Sequence, residues 1–116
     1  MVGELELEPS DLTIDLCRAL RAMEPFGEGN LEPTFVLRGV HFSEVRPVGM
    51  DGKHLVISFA NRSIPRAVWW NHGMDAEGIR AKSSRAFDVS FSLAISDWGG
   101  VESPELRIAA VSSASL

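Results

Sequence analysis

The chain has 116 residues, of which 45% are hydrophobic and 23% are charged, as expected for one globular domain. No apolar run approaches the roughly 20 residues of a membrane-spanning helix, and the N-terminus lacks the basic segment and apolar core of a signal peptide. The single cysteine, Cys17, excludes an intrachain disulfide. We therefore expect a cytoplasmic protein.

The net charge of −5 is unevenly distributed. Residues 1–32 carry eight acidic and two basic side chains, whereas residues 33–116 carry eight acidic and nine basic ones. Domains that bind nucleic acid usually show a clearly basic face. Any nucleic-acid binding by this chain should therefore be local, weak or assisted by a missing neighbour.

The N-terminal residues predict a short strand followed by a helix. Leucine and glutamate alternate strictly over 4–8, which is typical of a strand. Ser10 is a good N-cap for the helix, with Asp11 in its first turn, and Pro25 should end it because the residue before a proline is pushed out of helical geometry. The apolar stripe of this helix is predicted to be Leu12, Leu16, Ala19, Leu20 and Met23.

Residues 24–35 combine two prolines and two glycines with the aromatic residues Phe26 and Phe35. Because aromatic side chains favour burial, this segment is predicted to be an ordered connection rather than a polar linker. Gly27 and Gly29 follow a helix and precede none, so they indicate turn geometry rather than a phosphate-binding loop. We interpret the segment as a hinge that fixes where the following domain sits.

From Phe35 onward the hydrophobic period changes to two, which predicts strands. The first is long and should bend at Gly39, and Asp51-Gly52 indicates a hairpin turn after it. A short helix is expected around 75–79. The predicted strands are 35–48, 54–59, 64–70, 87–95 and a last one around 106–110.

The pattern predicts a mainly β protein, with a five-stranded OB-type Greek-key barrel preceded by an N-terminal strand and helix. A five-stranded meander or an open sandwich is the alternative, since periodicity alone does not separate them. We divide the chain into a connecting strand, helix and Pro/Gly junction at 1–34 and a barrel at 35–116.

Several segments resemble, in the correct order, the C-terminal OB domain of RecJ, the single-stranded-DNA-specific exonuclease of the DHH phosphoesterase family. The resemblance extends over about residues 4–111, and the junction motif is its most specific part. Leu31 stands where the family usually has proline, and Trp69 stands where a small residue is common. The matching segments are Glu24–Phe35, Gly52–Leu55, Ala67–Trp70, Phe87–Leu93, Trp98–Gly100 and Leu106–Ile108.

This resemblance implies a role in DNA repair and recombination beside a hydrolase core, carried in cis or in trans, that uses Mn or Mg and a D-H-H triplet. This chain has no such triplet, and His41, His54 and His72 have spacings that match no compact metal motif. We therefore expect no catalytic residues, no metal site and no cofactor here. The chain would be a fragment, a split gene product or a free-standing copy of the accessory end.

Single-stranded nucleic acid is bound by aromatic platforms together with cations that follow the phosphates. Trp69 and Trp70 must point to opposite faces of a strand; the family match predicts a buried Trp70 and an outward Trp69. That tryptophan could stack on a base or cover a domain interface, and each arginine could be an ordinary solvated charge. The candidate contacts to single-stranded DNA are Arg38, Arg46, Lys53, His54, Arg62, Arg66, Trp69 and Arg107.

Two other functions are compatible with the residues. In the first, the domain is a protein-interaction module that docks Leu5, Leu7, Trp69 and the helix stripe onto a nuclease core or repair partner. The N-terminal strand would then pair with a missing partner sheet; alternatively, it folds back on its own barrel or stays disordered. In the second, the barrel binds an oligosaccharide.

Overall fold

Strands are the main secondary structure of the molecule. The computed structural model describes residues 5–23, 33–82 and 84–113, and no helix within these ranges is long and apolar enough to cross a membrane. The strands are β1 (Leu5–Glu6), β2 (Phe35–Val40), β3 (Phe42–Val48), β4 (His54–Phe59), β5 (Ala67–Trp69), β6 (Phe87–Trp98) and β7 (Val101–Ser113). The helices are α1 (Ile14–Arg21) and α2 (Ala76–Ala81), with short 3₁₀ turns at Pro9–Asp11, Met50–Gly52 and Gly73–Asp75.

The strands belong to one sheet in the order β1-β2-β6-β7-β5-β4-β3. The β1–β2 and β5–β7 pairs are parallel and the other pairs are antiparallel. This mainly β architecture with a few helices is consistent with the predicted OB type. The predicted five-stranded closed barrel is not confirmed, because the described residues form a seven-stranded sheet whose outer strands are β1 and β3.

The predicted long first strand is interrupted at its expected bend. Gly39 has a φ of +65°, a conformation that glycine adopts without strain, and its N–H donates to Oδ1 of Asp88 at 2.9 Å. The register of β2 against β6 shifts between Leu37 and Val40. The chain therefore leaves β2 beside β6 and continues as β3 beside β4, at the far end of the sheet order.

The curl that this bend imposes brings the ends of β3 and β6 together. Phe42 at the start of β3 stacks on Phe87 at the start of β6, with ring centroids 4.6 Å apart and planes only 4° from parallel. Phe42 also meets Phe59 edge-on at 5.5 Å. Such aromatic pairs contribute about 0.5–1.5 kcal/mol each beyond the area they bury.

The hydrophobic core lies on the inner face of the curled sheet. The alternation predicted for 54–59 and 87–95 is confirmed at Leu55, Ile57 and Phe59, and at Phe87, Val89 and Phe91, all of which are buried. The predicted third strand is shorter than expected, because only Ala67–Trp69 pairs with β4. The largest fully buried side chains are Phe91, Leu37, Leu55, Ile57, Leu106 and Val89.

The helix starts later than its predicted cap. Thr13 is the N-cap of α1, and its Oγ1 accepts from the Leu16 N–H at 3.1 Å. The Ser10 prediction is wrong because Pro9–Asp11 forms a separate 3₁₀ turn, which Asp11 closes by accepting from the Glu8 N–H at 2.9 Å.

The buried side of α1 also differs from the predicted stripe. Leu12 and Cys17 are buried, whereas Ala19 and Met23 are exposed. Burial raises the pKa of the Cys17 thiol, against a smaller lowering effect of a backbone hydrogen bond. Cys17 thus serves as a small apolar side chain in this helix.

The N-terminal strand folds back on the sheet of its own chain. The Leu5 N–H donates to the Thr34 carbonyl at 3.2 Å, and the Leu7 N–H donates to the Val36 carbonyl at 2.9 Å. Of the predicted hinge at 24–35, all but Pro33, Thr34 and Phe35 lies outside the described residues. Phe35 is buried and meets Phe91 at 6.0 Å.

The β3–β4 turn and the segment after β5 are locked together by backbone contact. The predicted turn at Asp51-Gly52 is present, with Asp51 at a φ of 59°. The Gly73 N–H donates to the Lys53 carbonyl at 2.9 Å, and a Cβ at Gly73 would overlap the Gly52 carbonyl. Glycine is therefore required at 73 for this close approach.

We predict that Gly73→Ala destabilises the domain by roughly 1–3 kcal/mol, the range for an overpacked site, because the two backbones must separate. Gly78→Ala is the matched control: it lies inside α2 with open space around it, so it should be neutral or stabilise by up to about 1 kcal/mol. Urea denaturation followed by circular dichroism measures both. Equal stabilities for the two variants would contradict this account of the turn.

Candidate nucleic-acid interface

The strand register aligns four side chains in a row across the sheet. Arg46 of β3 pairs with Val56 of β4, Val56 with Val68 of β5, and Val68 with Arg107 of β7. Their sequence neighbours Leu55, Ile57, Ala67 and Leu106 are completely buried, so this row faces away from the core. We call this surface of β3, β4, β5 and β7 the outer face.

The outer face continues in rows on either side of these four residues. Alternation places Val48 and His54 beside each other in one row, and the His54 ring meets the Trp70 ring edge-on at 4.7 Å. Arg66 immediately precedes β5, where its carbonyl accepts from the Leu106 N–H at 3.2 Å, and Glu105 precedes Leu106 in β7 with the same orientation as Arg107. Cations, the half-buried Val48 and Val56 and one aromatic ring therefore share a single surface, on which Val68 is itself almost completely covered.

The predicted orientation of the two tryptophans is wrong. Trp70 is an exposed residue, with 50% of its surface accessible, whereas Trp69 is less accessible and packs against the core cluster. The reason is the phase of β5: Ala67 has 0% exposure, and Trp69 lies two residues further on the same side. Trp70, which the family match placed in the core, is the aromatic residue on the outer face.

Trp69 lies in a separate groove between α2 and the ends of β6 and β7. Its ring stacks on His72 at 3.9 Å with planes 11° apart, and Nδ1 of His72 is 2.7 Å from Oδ2 of Asp75. The cavity beside them has a volume of about 340 Å³ and is also lined by Lys82 and Val111. One face of Trp69 is therefore already occupied by an imidazole.

The outer face has an excess of positive charge in a chain that is acidic overall. Arg107 is exposed and forms no ion pair within the described parts of the chain, and Arg46 is paired with Glu44 at 3.6 Å, both ends being well exposed. Exposed pairs of this kind contribute at most about 1 kcal/mol. Arg46, Arg66 and Arg107 thus outnumber Glu44 and Glu105 on this surface.

The N-terminal helix leaves this surface open. Arg18 and Arg21 of α1 reach Glu102 at 3.2 Å and 3.6 Å. Glu102 and Leu106 have the same parity in β7, where the register against β6 is regular. Because Leu106 faces the core, α1 docks on the side of β7 opposite to Arg107.

The remaining predicted contacts are dispersed. Arg38 does not share a surface with the other predicted contacts, because the bend at Gly39 separates it from β3. It pairs instead with Glu6 at 3.2 Å and with Asp88 at 3.5 Å. Arg62 is exposed in the turn after β4, at the end of that strand remote from His54. The structure therefore brings Arg46, His54, Arg66 and Arg107 together, but not Arg38 or Trp69.

Lys53 lies at the edge of the outer face, beside a feature that the sequence analysis missed. It lines a cavity of about 760 Å³ between the β3–β4 turn and the segment after β5, together with Met50 and Met74. Both methionines are 87% exposed. No residue pattern predicted that these two side chains line one cavity, because the Gly52–Gly73 contact that joins their segments is not local.

The metal-binding chemistry of the resembled nuclease core has no counterpart in the described residues. Within 5–23, 33–82 and 84–113, no group of three histidine, cysteine, aspartate or glutamate side chains is placed to hold a metal ion. We therefore assign no metal-dependent step to these residues.

Comparison with known proteins supports the resemblance. The family model for the RecJ OB domain matches residues 4–110. Two crystal structures from Thermus thermophilus are similar over 99% of this chain: RecJ in complex with Mn²⁺, at 25% identity and a TM-score of 0.68, and RecJ in complex with Mg²⁺, at 24% identity and a TM-score of 0.63. This chain spans only 16% and 17% of those two chains.

Among curated proteins, no match was found. The family model nevertheless extends over nearly the whole chain, and the most specific residues of the resemblance, 24–35, lie within the matched range. The chain belongs to the RecJ OB domain family.

Proposed function

We propose that this chain is the single-stranded-DNA-binding accessory domain of a RecJ-like 5′-3′ exonuclease that acts in DNA repair and recombination. It binds DNA weakly and without sequence preference. It guides a strand towards a DHH-type nuclease core carried in cis or in trans. The chain itself contributes no catalytic group.

The observation that carries this proposal is the composition of the outer face. Trp70 offers an exposed indole for stacking on a base, and Arg46 and Arg107 lie on either side of Val56 and Val68. Base stacking on an aromatic side chain tolerates any sequence, and arginines attract the phosphates between stacked bases. Because Val56 is only partly exposed and Val68 is 8% exposed, the exposed indole and the two arginines are the groups that would contact a flexible polyanion with exposed base faces.

A protein-interaction module is the second candidate, and the N-terminal segment favours it. β1 is an outer strand of the sheet, so its edge away from β2 is open to another strand within the described structure. Leu5 is 62% exposed and Met23 is 47% exposed. Docking onto a nuclease core through this segment is compatible with DNA binding on the outer face. If the chain still pulls down the nuclease core after nuclease treatment, the two proteins bind directly and are not bridged by DNA.

We predict that Arg107→Ala weakens binding to a labelled single-stranded oligonucleotide at low salt and lowers the salt slope by about 0.7, the value for one phosphate contact on a single strand. Arg38→Ala is the matched control, because Arg38 is held by Glu6 and Asp88 away from the outer face. Fluorescence anisotropy over a salt series measures both slopes. Identical slopes for the two variants would argue against the outer face as the phosphate path.

We predict that Trp70→Ala weakens single-stranded DNA binding by roughly 1–3 kcal/mol, the contribution of one stacked base. The salt slope should stay unchanged because no charge is removed. Val101→Ala is the control, since Val101 is also exposed but lies at the β6–β7 turn. An unchanged affinity for Trp70→Ala would rule out stacking on this residue.

We predict that the purified chain does not degrade single-stranded DNA with Mn²⁺ or Mg²⁺ present. The reason is that its described residues offer no cluster of metal ligands. Gel analysis of an end-labelled oligonucleotide measures this. Metal-dependent degradation by the chain, removed by chelation, would refute the accessory role.

A further inference from the structure

The His54 side chain is hydrogen-bonded to the backbone of the residue that follows Trp70. The Asn71 N–H donates to Nδ1 of His54 at 3.0 Å, and the His54 and Trp70 rings meet at 4.7 Å with an interplanar angle of 74°. The imidazole therefore contacts Trp70 through its ring and holds the next residue through Nδ1.

This hydrogen bond requires an unprotonated Nδ1. A backbone N–H can only donate, so Nδ1 must accept, and the neutral imidazole then carries its proton on Nε2. A second proton would occupy the Nδ1 lone pair, and both ring nitrogens would become donors. The Asn71 N–H would then face another N–H and lose its acceptor.

Trp70 depends on this contact because β5 ends one residue earlier, at Trp69. Asn71 also has a φ of 65°, a left-handed conformation that asparagine tolerates but that needs support from its surroundings. The hydrogen bond to His54 supplies such support at the residue where the chain turns away from the sheet.

We propose that His54 is a positioning residue, which holds Trp70 in place for base stacking only while Nδ1 is unprotonated. This inference rests on the proposed DNA-binding function of the outer face. It assigns His54 a role different from the direct nucleic-acid contact expected from the sequence. The stacking contribution of Trp70 should therefore be present while the imidazole is neutral and lost once Nδ1 takes up a proton.

The charged groups around His54 matter because protonation of His54 could change DNA affinity through charge as well as through the position of Trp70. Lys53 precedes it in the chain, Asp51 lies in the β3–β4 turn, and Arg46 lies one row away on β3; within the described residues, none of them forms an ion pair with His54. Protonation adds a cation to the outer face, and a cation by itself attracts phosphate. Pure electrostatics therefore predicts stronger binding in acid, whereas positioning predicts that Trp70 stops contributing.

The test compares the affinities of the wild-type chain and Trp70→Ala for one labelled oligonucleotide at constant ionic strength. At about pH 8 the dissociation constants should differ by about fivefold or more. At an acidic pH where the ring signals of His54 in an NMR titration show that both nitrogens are protonated, the ratio should approach one. The same ratio at both pH values would overturn the positioning role.

Two variants of His54 separate its hydrogen bond from its charge. His54→Asn keeps an acceptor oxygen near the position of Nδ1 but does not titrate, so Trp70 should contribute equally at both pH values in this background. His54→Ala removes the acceptor, so Trp70 should contribute little at either pH. A Trp70 contribution that still disappears in acid with His54→Asn would place the switch elsewhere.

A measurement on the free protein separates this inference from the proposed function. The nuclear Overhauser contact between the His54 and Trp70 rings should be present at about pH 8 and lost at the acidic pH where the ring signals of His54 show that it is protonated. A contact that persists in acid overturns the positioning role, whether or not DNA binds. Absence of DNA binding at both pH values, with the contact still lost in acid, overturns the proposed function and leaves the positioning of Trp70 supported.

Discussion

The bend after Arg38 is the constraint on which the rest of the structure depends. Gly39 adopts a φ of +65°, and Asp88 fixes the bend by accepting from the Gly39 N–H at 2.9 Å. This bend divides one hydrophobic run into β2 and β3, at distant positions in the sheet. The sheet must curl to connect them, and the curl encloses the core on one face and turns the other face of β3, β4, β5 and β7 away from it.

Strand alternation determines which side chains lie on the outer face. Once Ala67 and Leu106 face the core, with 0% exposure each, Val68 and Arg107 must point away from it. The basic character of this surface is local, because some acidic residues of the N-terminal segment pair with arginines outside it. Glu6, for example, pairs with Arg38 on the far side of the bend. A chain with net charge −5 can therefore present a surface that attracts phosphate.

The features that could be predicted from the sequence are those set by residues close together along the chain. The alternation of β4 and β6, the bend at Gly39 and the turn at Asp51-Gly52 follow from local residue types. The phase of β5 did not, because Ala-Val-Trp-Trp can be read with either tryptophan inward, and the stacking partner of Trp69 is His72, beyond the strand. The helix start at Thr13 was missed because both Ser10 and Thr13 are capable caps, and only the 3₁₀ turn at Pro9–Asp11 decides between them.

Mapping of amide and indole chemical shifts during titration with a short single-stranded oligonucleotide tests the central claim most directly. The account predicts that the perturbed signals cluster on the outer face, at Arg46, Val56, Trp70 and Arg107. Signals of α1, which docks on the opposite side of β7, should stay in place. Perturbations centred on α1 or on the groove that holds Trp69, with the outer face unchanged, would contradict the account.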